Sequence, residues 1–396
     1  MSSTPHTTYL EYQALLVSFA REDFSSQVQE WLHKQWSSDT LLEQAIPWAR
    51  SIPNIYPDTC LQQWSKYADD NNMDRSRTKD SGKTSCVGLF RWTPCGQYVA
   101  CVIETDTIVI FDLQQQQHWQ TLRSHLQHSI RSISFRPTCS WQLAVGCWTG
   151  IAWWKRNQLH WLTWKQHKQV EHISWSKDGS LLASFSSLDR CILLWDVGLS
   201  QALVLVKETT IPVCDVSFGV CGEPFLFVGH SSSQYHFTIL DTLEWKPQRW
   251  KKQQRVQSQC KVAWNEHDSA SVAIIASSNQ LYALDISEQQ LLWTEYISNV
   301  PDHAHLVDIV WDPSAQRLAV MLLIPDQEYR TLIALYSTQC EPIFRMDLIG
   351  WITGPESPSD HALCMSFQPS SCSFGALLAI SWSQGTIQLI PLVFAK

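Results

Sequence analysis

One unit of alternating apolar and polar residues recurs through most of the chain. Each copy contains an apolar strand that ends in Trp or Phe, a polar turn, a second apolar strand and a third strand of the type Ile-x-Ile-Phe-Asp. The aromatic residues that end the first strands, called the anchors below, are Trp92, Phe135, Trp175, Phe218, Trp264, Trp311 and Phe367. Successive anchors are 43, 40, 43, 46, 47 and 56 residues apart. Repeats of about 40 to 45 residues with four short strands each are typical of β-propellers.

The seven anchors predict seven blades. Within a unit the apolar residues alternate with period two, so one face of each strand is apolar and packs on a neighbouring sheet. A single blade cannot bury both of its faces, and a closed ring removes the exposed ends of the stack. We therefore predict an all-β chain in which residues 86–396 form one seven-bladed β-propeller.

The third unit carries the most specific local pattern. It contains Ser184, Asp189 and Trp195, and His167 stands eight residues before its anchor, Trp175. The pattern resembles the WD-repeat (WD40) family, whose blades are often tied by hydrogen bonds among His, Ser or Thr, Asp and Trp. A buried network of this kind stabilises a blade only if every member has a partner. The other units lack most of these residues, so the resemblance indicates a degenerate WD40-type propeller with one structural network.

Residues 1–68 do not fit the repeat and are predicted to form an N-terminal helical extension. Ser26 with Gln29, and Thr40 with Glu43, have the spacing of a capping box, in which two side chains satisfy free backbone amides at the start of a helix. An apolar run follows each pair. The pattern thus predicts two helices after these capping residues.

The first of these helices has an apolar face that includes Trp31 and Trp36. Residues three or four apart lie on the same side of a helix, so the two indoles share that face with Val28 and Leu32. Two interpretations are open. We favour packing of this face against the propeller, and the alternative is a docking helix for a partner protein.

A polar stretch without aromatic residues, DDNNMDRSRTKDSGKTS at residues 69–85, predicts a linker between the extension and the propeller. The last repeat ends near Val393 after only three strands. Its blade needs a fourth strand, and we expect residues 55–84 to supply it.

Composition and motif content argue against several functional classes. The net charge of -8 argues against nucleic-acid binding through bulk electrostatics. The chain contains no G-x-S-x-G, His-Glu-x-x-His or Cys-x-x-Cys motif and no dinucleotide fingerprint. The pairs His125/His128 and His303/His305 lack further ligands at zinc-like spacing. We therefore expect no enzymatic activity, no cofactor and no metal, and we expect the 13 cysteines to be reduced thiols.

A basic run, KPQRWKKQQR at residues 246–255, is the charged feature that rises above background. Arg249, Trp250, Lys251 and Lys252 lie together in it, and basic residues around an aromatic ring can bind nucleic acid or an acidic protein. The run follows the third strand of the fourth unit, which predicts an outer strand or a rim loop. We favour a solvated edge, on which Lys discourages strand pairing, ahead of an acidic protein partner and of nucleic acid.

The chain has 21 Trp but only 14 Gly. Trp residues on anchors and third strands are expected in the core, whereas those on outer strands and connections can anchor an interface. The candidate partner contacts are Trp245, Trp250, Trp351, Trp31 and Trp36, and for the first three of these we favour simple edge packing over partner contact. The shortage of Gly fits turns that use Asn, Asp and Ser instead.

Three segments resemble a specific family. The segment GALLAISWSQGTIQLIPLVF at residues 375–394 is similar to the C-terminus of the aladin family of WD-repeat nucleoporins. WDPSAQRLAV at residues 311–320 is similar to that family's sixth unit, and SWSKDGSLLASFSSLDRCILLWDV at residues 174–197 to its third. The Trp-Ser-x-Gly turn and the Ile-Pro-Leu ending are not general WD-repeat features. With weaker matches, the resemblance covers most of residues 25–396.

The resemblance implies a non-enzymatic scaffold subunit of the nuclear pore complex, on the cytoplasmic side of the nuclear envelope, that supports nucleocytoplasmic transport. The implied partners are a polytopic transmembrane nucleoporin, which recruits the chain, and other pore subunits. Contact with the membrane would be indirect, and no direct nucleic-acid binding is expected. The alternative is a general WD-repeat adaptor, such as a substrate receptor of a ubiquitin ligase or a membrane-traffic scaffold.

Overall fold

A computed structural model describes residues 7–12, 15–20 and 87–394 of the chain. Within the last range, the gaps in the description are 104–105, 116, 165, 199–200, 207–208, 210–211, 220–224, 231–236, 249–259, 266–271, 278–279, 298–299, 302–303, 325–329, 341–342, 354–360, 370–374 and 384–386. The described residues form strands and turns. Among them there is no helix long and apolar enough to cross a bilayer.

The strands form seven sheets, of which six have four strands and one has five. The chain begins with β1 (Thr7–Tyr12) and β2 (Leu15–Ala20). Blade 1 contains β3 (Val87–Trp92), β4 (Tyr98–Ile103), β5 (Thr107–Asp112) and β6 (Gln117–Arg123). Blade 2 contains β7 (Ser132–Phe135), β8 (Gln142–Cys147), β9 (Gly150–Lys155) and β10 (Gln158–Leu162). Blade 3 contains β11 (Val170–Trp175), β12 (Leu181–Ser186), β13 (Ile192–Asp196) and β14 (Gln201–Val206).

The remaining blades follow the same order. Blade 4 contains β15 (Val213–Phe218), β16 (Phe225–His230), β17 (Phe237–Asp241) and β18 (Lys246–Pro247). Blade 5 contains β19 (Cys260–Trp264), β20 (Val272–Ser277), β21 (Gln280–Asp285) and β22 (Gln290–Tyr296). Blade 6 contains β23 (His305–Trp311), β24 (Arg317–Ile324), β25 (Arg330–Gln339) and β26 (Arg345–Thr353). Blade 7 contains β27 (Ala362–Phe367), β28 (Gly375–Trp382) and β29 (Ile387–Val393), which are joined by β1 and β2.

The blades close into a ring. Neighbouring strands within blades 1 to 6 pair antiparallel, and the first strand of each blade contacts the first strands of the blades on both sides, including β27 with β3. This arrangement lines a central channel with the seven first strands, and it confirms the predicted all-β, seven-bladed propeller.

The core lies between adjacent blades. All seven anchors are buried, with at most 8% of the surface exposed in any of them. Each apolar cluster draws on two neighbouring blades, as when Trp175 of blade 3 packs with Trp153 of blade 2. The middle strands of a blade are buried along nearly their whole length, as in β5 and β28, and successive side chains point to opposite faces, so both faces of the blade are apolar.

Three turns after the anchors show how the chain manages with few glycines. Gly96 and Gly179 stand four residues after their anchors and have φ angles of 70° and 68°. Ala315 occupies the same place in blade 6 with a φ of 54°. An L-residue is disfavoured in this left-handed region, so the turn of blade 6 is formed against the local preference of its sequence.

The N-terminal segment differs from the prediction. Residues 1–68 were expected to be a helical extension, but β1 and β2 form an antiparallel pair, and β1 joins β29 in parallel with Tyr9 beside Leu392. The Thr, Tyr, Val and Phe residues of this stretch favour strands. The predicted helices that begin after Ser26 and Thr40 lie outside the described residues, as does the linker at 69–85.

The seventh blade therefore takes its fourth strand from the N-terminal segment. The sequence predicted that a segment before the propeller would supply this strand, but it placed the strand in residues 55–84, which lie outside the described residues, and not in residues 7–12. The observed partner of β29 is residues 7–12. Pairing between the two ends of the chain covers an edge of β29 that would otherwise present unpaired backbone groups.

Candidate interaction surfaces and the network that supports them

The structure brings together the four residues of the predicted WD network in blade 3. Trp195 Nε1 lies 2.8 Å from Ser184 Oγ, which lies 2.9 Å from His167 Nε2. His167 Nδ1 lies 3.1 Å from Asp189 Oδ2. Ser184 is fully buried, and His167 and Trp195 are almost so. The network joins the loop before β11, the second and third strands of the blade and the turn between them.

The proton positions in this network follow from the partners. Burial lowers the pKa of His167, so its ring is neutral and carries a single N–H. A carboxylate only accepts, so Nδ1–H donates to Asp189 and Nε2 accepts from the Ser184 hydroxyl. The same hydroxyl oxygen accepts from the indole N–H of Trp195. Every polar group in the series has a partner, which is the condition for a buried network to stabilise its blade.

Blade 2 contains a related pair that the sequence pattern did not reveal. Trp154 Nε1 donates to Gln127 Oε1 at 2.7 Å, and both side chains are buried. Gln127 Nε2 also donates to the backbone oxygen of Asp106 at 3.0 Å. Gln127 stands 40 residues before His167, which equals the spacing of their anchors. Gln therefore replaces His at the same place in the blade, and the anchor spacing was the signal that could have found it.

Charged side chains from consecutive blades meet in the central channel. Asp215, Lys261 and Asp308 each stand three residues before an anchor, on the first strands of blades 4, 5 and 6. Lys261 Nζ lies 3.5 Å from Asp308 Oδ1, and this carboxylate raises the pKa of Lys261. Burial raises the pKa of Asp215. The ion pair joins blades 5 and 6 across their boundary.

His172 of blade 3 stands at the same position before its anchor. Burial, with the nearby charge of Lys261 as the second cause, lowers the pKa of His172 to about 4. The ring is therefore neutral at pH 7. None of these four channel residues was predicted from the sequence, because isolated ionisable residues in alternating strands form no recognisable motif.

Two of the candidate partner contacts are placed by the structure. Trp245 is half-buried, has a φ of 56° in the turn between β17 and β18, and packs on the core between blades 3 and 4. Trp351 on β26 is half-buried and packs on the core between blades 5 and 6. Both residues therefore take part in edge packing, which was the favoured interpretation of these two tryptophans.

The other candidates lie outside the described residues: Arg249, Trp250, Lys251, Lys252, Trp31 and Trp36. Next to the basic run, Lys246 is exposed and pairs with exposed Glu244 at 3.0 Å. Lys246 belongs to the short strand β18, which is the beginning of the basic run that was predicted to be a solvated edge.

Metal and disulfide chemistry can be assessed for the described part of the chain. No group of three or more His, Cys, Asp or Glu residues there is arranged to hold a metal ion. The nine cysteines in the same ranges carry free thiols.

Comparison with known proteins agrees with the fold. The chain is 23% identical over 342 residues to a curated protein named "Aladin" from Arabidopsis thaliana, and the match covers 76% of this chain and 75% of that protein. A chain in a solved structure described as "Crystal Structure of Mitotic Checkpoint Complex" superposes with a TM-score of 0.61 at 14% identity, over 78% of this chain and 90% of that one. No family model matches the sequence. The first match confirms the resemblance to the aladin family and supports a WD-repeat scaffold, and the second shows the propeller fold alone.

Proposed function

We propose that this chain, a homologue of aladin, is a non-enzymatic scaffold subunit of the nuclear pore complex. It would sit on the cytoplasmic side of the nuclear envelope, where a transmembrane nucleoporin recruits it. The observation that carries the proposal is the match to the Arabidopsis protein, which runs over 342 residues and includes 75% of that relative. A match of this extent spans several blades and is not confined to one repeat.

The placement of ionisable groups supports a scaffold over an enzyme. His167 is bonded on both ring nitrogens within blade 3, and Lys261 is paired with Asp308 between blades 5 and 6. A catalytic acid, base or nucleophile has to reach a substrate. The first group instead ties one blade together and the second joins two neighbouring blades, which suits a protein that presents rigid surfaces to partners.

The location is tested by tagging the chain at its own locus with a fluorescent protein and imaging it with a pore marker. A punctate nuclear rim that coincides with the marker is expected. A diffuse cytosolic signal would contradict the proposal and favour the general adaptor, such as a ubiquitin-ligase substrate receptor or a membrane-traffic scaffold.

The side of the envelope and the mode of recruitment need separate measurements. Digitonin opens the plasma membrane but leaves the nuclear envelope closed, so an antibody against the tag should stain the rim in digitonin-treated cells. Affinity capture in mild detergent should retain a transmembrane nucleoporin, and depletion of that protein should disperse the rim signal. A rim signal that survives the depletion would show that another partner recruits the chain.

A further inference from the structure

One rim of blades 2 and 3 exposes three large apolar side chains. Leu126 lies in the connection between blades 1 and 2, Trp148 in the turn between β8 and β9, and Leu188 in the turn between β12 and β13. Their exposed fractions are 42%, 44% and 54%. We call these three residues and the loops that carry them the blade 2–3 rim.

Backbone contacts make the blade 2–3 rim continuous. Trp148 N donates to His128 O at 3.0 Å, and the Thr149 hydroxyl donates to Leu126 O at 2.6 Å. On the other side, Gln169 N donates to Trp148 O at 2.9 Å, and Ser187 N donates to Gln169 O at 3.4 Å. The loops that carry the three apolar residues are thus bonded one to the next across the blade boundary.

Hydrogen bonds to buried side chains hold the loops on the blade 3 side of this surface in place. His167 and Asp189, the two outer members of the WD network, flank Lys168 and Leu188 in sequence and are bonded to each other. The Ser186 hydroxyl donates to Lys168 O and also accepts from Leu188 N at 3.2 Å. A surface held in one conformation loses little entropy when a partner binds.

The exposed charges around the apolar residues have one sign. In the described parts of these loops, the exposed charged side chains are Arg123, Arg131, Lys168 and Arg190. The acidic residues Asp189 and Glu171 are half-buried and accept hydrogen bonds from His167 and Gln169. A basic surface on a chain with a net charge of -8 is a local arrangement and not a consequence of overall composition.

We propose that the blade 2–3 rim binds an acidic, amphipathic segment of a partner protein. Apolar side chains of that segment pack on Leu126, Trp148 and Leu188, and its Asp and Glu residues lie against the surrounding Arg and Lys. Trp and Arg are the residue types that dominate binding energy at protein interfaces. Nucleic acid fits less well, because two of the three apolar residues are aliphatic and offer no ring for a base to stack on. The proposal does not depend on a role at the pore, because it concerns binding by the purified chain.

The test is a selection of peptides from a random phage-displayed library on the purified full-length chain. Enriched peptides are expected to combine Leu, Ile, Phe or Trp with Asp and Glu. A synthetic fluorescent copy of an enriched peptide then serves as the probe in anisotropy titrations. Trp148→Ala and Leu188→Ser should each weaken its binding by about tenfold or more. Arg190→Glu should weaken it as well, and added salt should lower the affinity for the parent chain.

The matched controls are Leu203→Ser and Leu243→Ser. Leu203 and Leu243 are exposed by 70% and 80% and lie on β14 and in the turn between β17 and β18, away from the blade 2–3 rim. These variants should bind the probe like the parent, and thermal melts should show that all variants are folded. Enrichment of neutral or basic peptides, or binding that survives Trp148→Ala and Leu188→Ser together, would overturn the proposal. So would a labelled single-stranded oligonucleotide that binds the rim when the acidic peptide does not.

Discussion

Trp264 of blade 5 donates its indole N–H to the hydroxyl of Ser217 on the first strand of blade 4, at 3.1 Å. Bonds of this kind recur at two other blade boundaries, from Trp175 to the backbone oxygen of Ser134 and from Trp92 to that of Ser366. In each case the Ser directly precedes a Phe anchor. Where a blade with a Ser-Phe anchor is followed by a blade with a Trp anchor, the two blades therefore share a hydrogen bond as well as apolar contacts.

The bond between Trp264 and Ser217 predicts a specific loss of stability. Ser217→Ala removes the acceptor and leaves a partly buried N–H without a partner, which should lower the free energy of unfolding by about 1 to 2 kcal/mol. Ser134→Ala is the matched control, because Trp175 bonds the backbone oxygen there and keeps its acceptor. Denaturant titrations of both variants check the prediction, and equal losses would show that the Trp264 bond contributes nothing.

The WD network of blade 3 gives a second prediction. Ser184→Ala removes the hydroxyl that accepts from Trp195 and donates to His167, so two fully desolvated partners lose a bond. The expected loss is about 2 to 4 kcal/mol, measured by denaturant unfolding.

Ser187→Ala is the control for Ser184→Ala. Its hydroxyl is buried and makes no hydrogen bond within the described part of the chain. Removal of a buried hydroxyl that has no partner should therefore leave stability unchanged or raise it by up to about 1 to 2 kcal/mol. A Ser184→Ala variant as stable as this control would show that the network is not a source of stability.

Much of the ring could be predicted from the sequence because each blade repeats the same local pattern of apolar and polar residues. The anchors end alternating apolar strands, and burial of Trp92, Trp175 and Phe367 follows directly from that alternation. The blade 3 network was predictable for a similar reason, since His167, Ser184, Asp189 and Trp195 keep the family's residue types in order. Function at the level of a WD-repeat scaffold follows from the same repeats.

Other features depend on contacts between distant parts of the chain. The pairing of Tyr9 with Leu392 joins the two ends of the sequence, and no local pattern in either segment specifies it. Lys261 and Asp308 form their ion pair in the channel because each stands three residues before the anchor of its blade. This shared position can be recognised only after the sequences of the blades are aligned. Exposure at Trp148 is likewise a property of the closed ring, because the same residue type is buried at Trp153 and Trp154.

Glycine substitutions provide a third prediction. Gly179 has a φ of 68°, and a Cβ there would lie 2.9 Å from Arg136 Cγ and from Thr138 Oγ1. Gly179→Ala should therefore lower the free energy of unfolding by about 1 to 3 kcal/mol, from backbone strain and from displacement of Arg136. Arg136 Nε currently donates to Gly179 O at 2.7 Å.

The matched change is Gly88→Ala on β3. No atom of the described residues lies within 4 Å of the position that its Cβ would take, so the variant should unfold within about 0.5 kcal/mol of the parent. Chemical denaturation of the two variants side by side separates strain at one turn from a general effect of alanine. If Gly179→Ala left the free energy of unfolding unchanged, the turn would have to relax to another conformation.

The N-terminal strands provide a fourth prediction. Deletion of residues 1–20 removes β1 and β2 and exposes the edge of β29, so the melting temperature should fall by several degrees. Deletion of residues 1–6 keeps both strands and is the control. Differential scanning calorimetry compares the two truncated chains, and identical melting temperatures would show that closure of blade 7 does not need β1.

His172 provides the last prediction, which concerns pH. An unfolded His binds a proton below about pH 6.5, whereas the folded protein holds the pKa of His172 at about 4. Between these two values the unfolded state binds more protons than the folded state, so stability falls as the pH is lowered. The contribution of this one ring is roughly 3 kcal/mol across that window.

His172→Gln should therefore flatten the decline in the free energy of unfolding between pH 6.5 and pH 4. Part of the decline should remain, because burial also lowers the pKa of His167. His125→Gln replaces an exposed ring and should leave the profile of the parent unchanged. Urea titrations at closely spaced pH values give the three profiles. Parallel profiles for the parent and His172→Gln would mean that the channel accepts a charged imidazole beside Lys261, contrary to the desolvation argument.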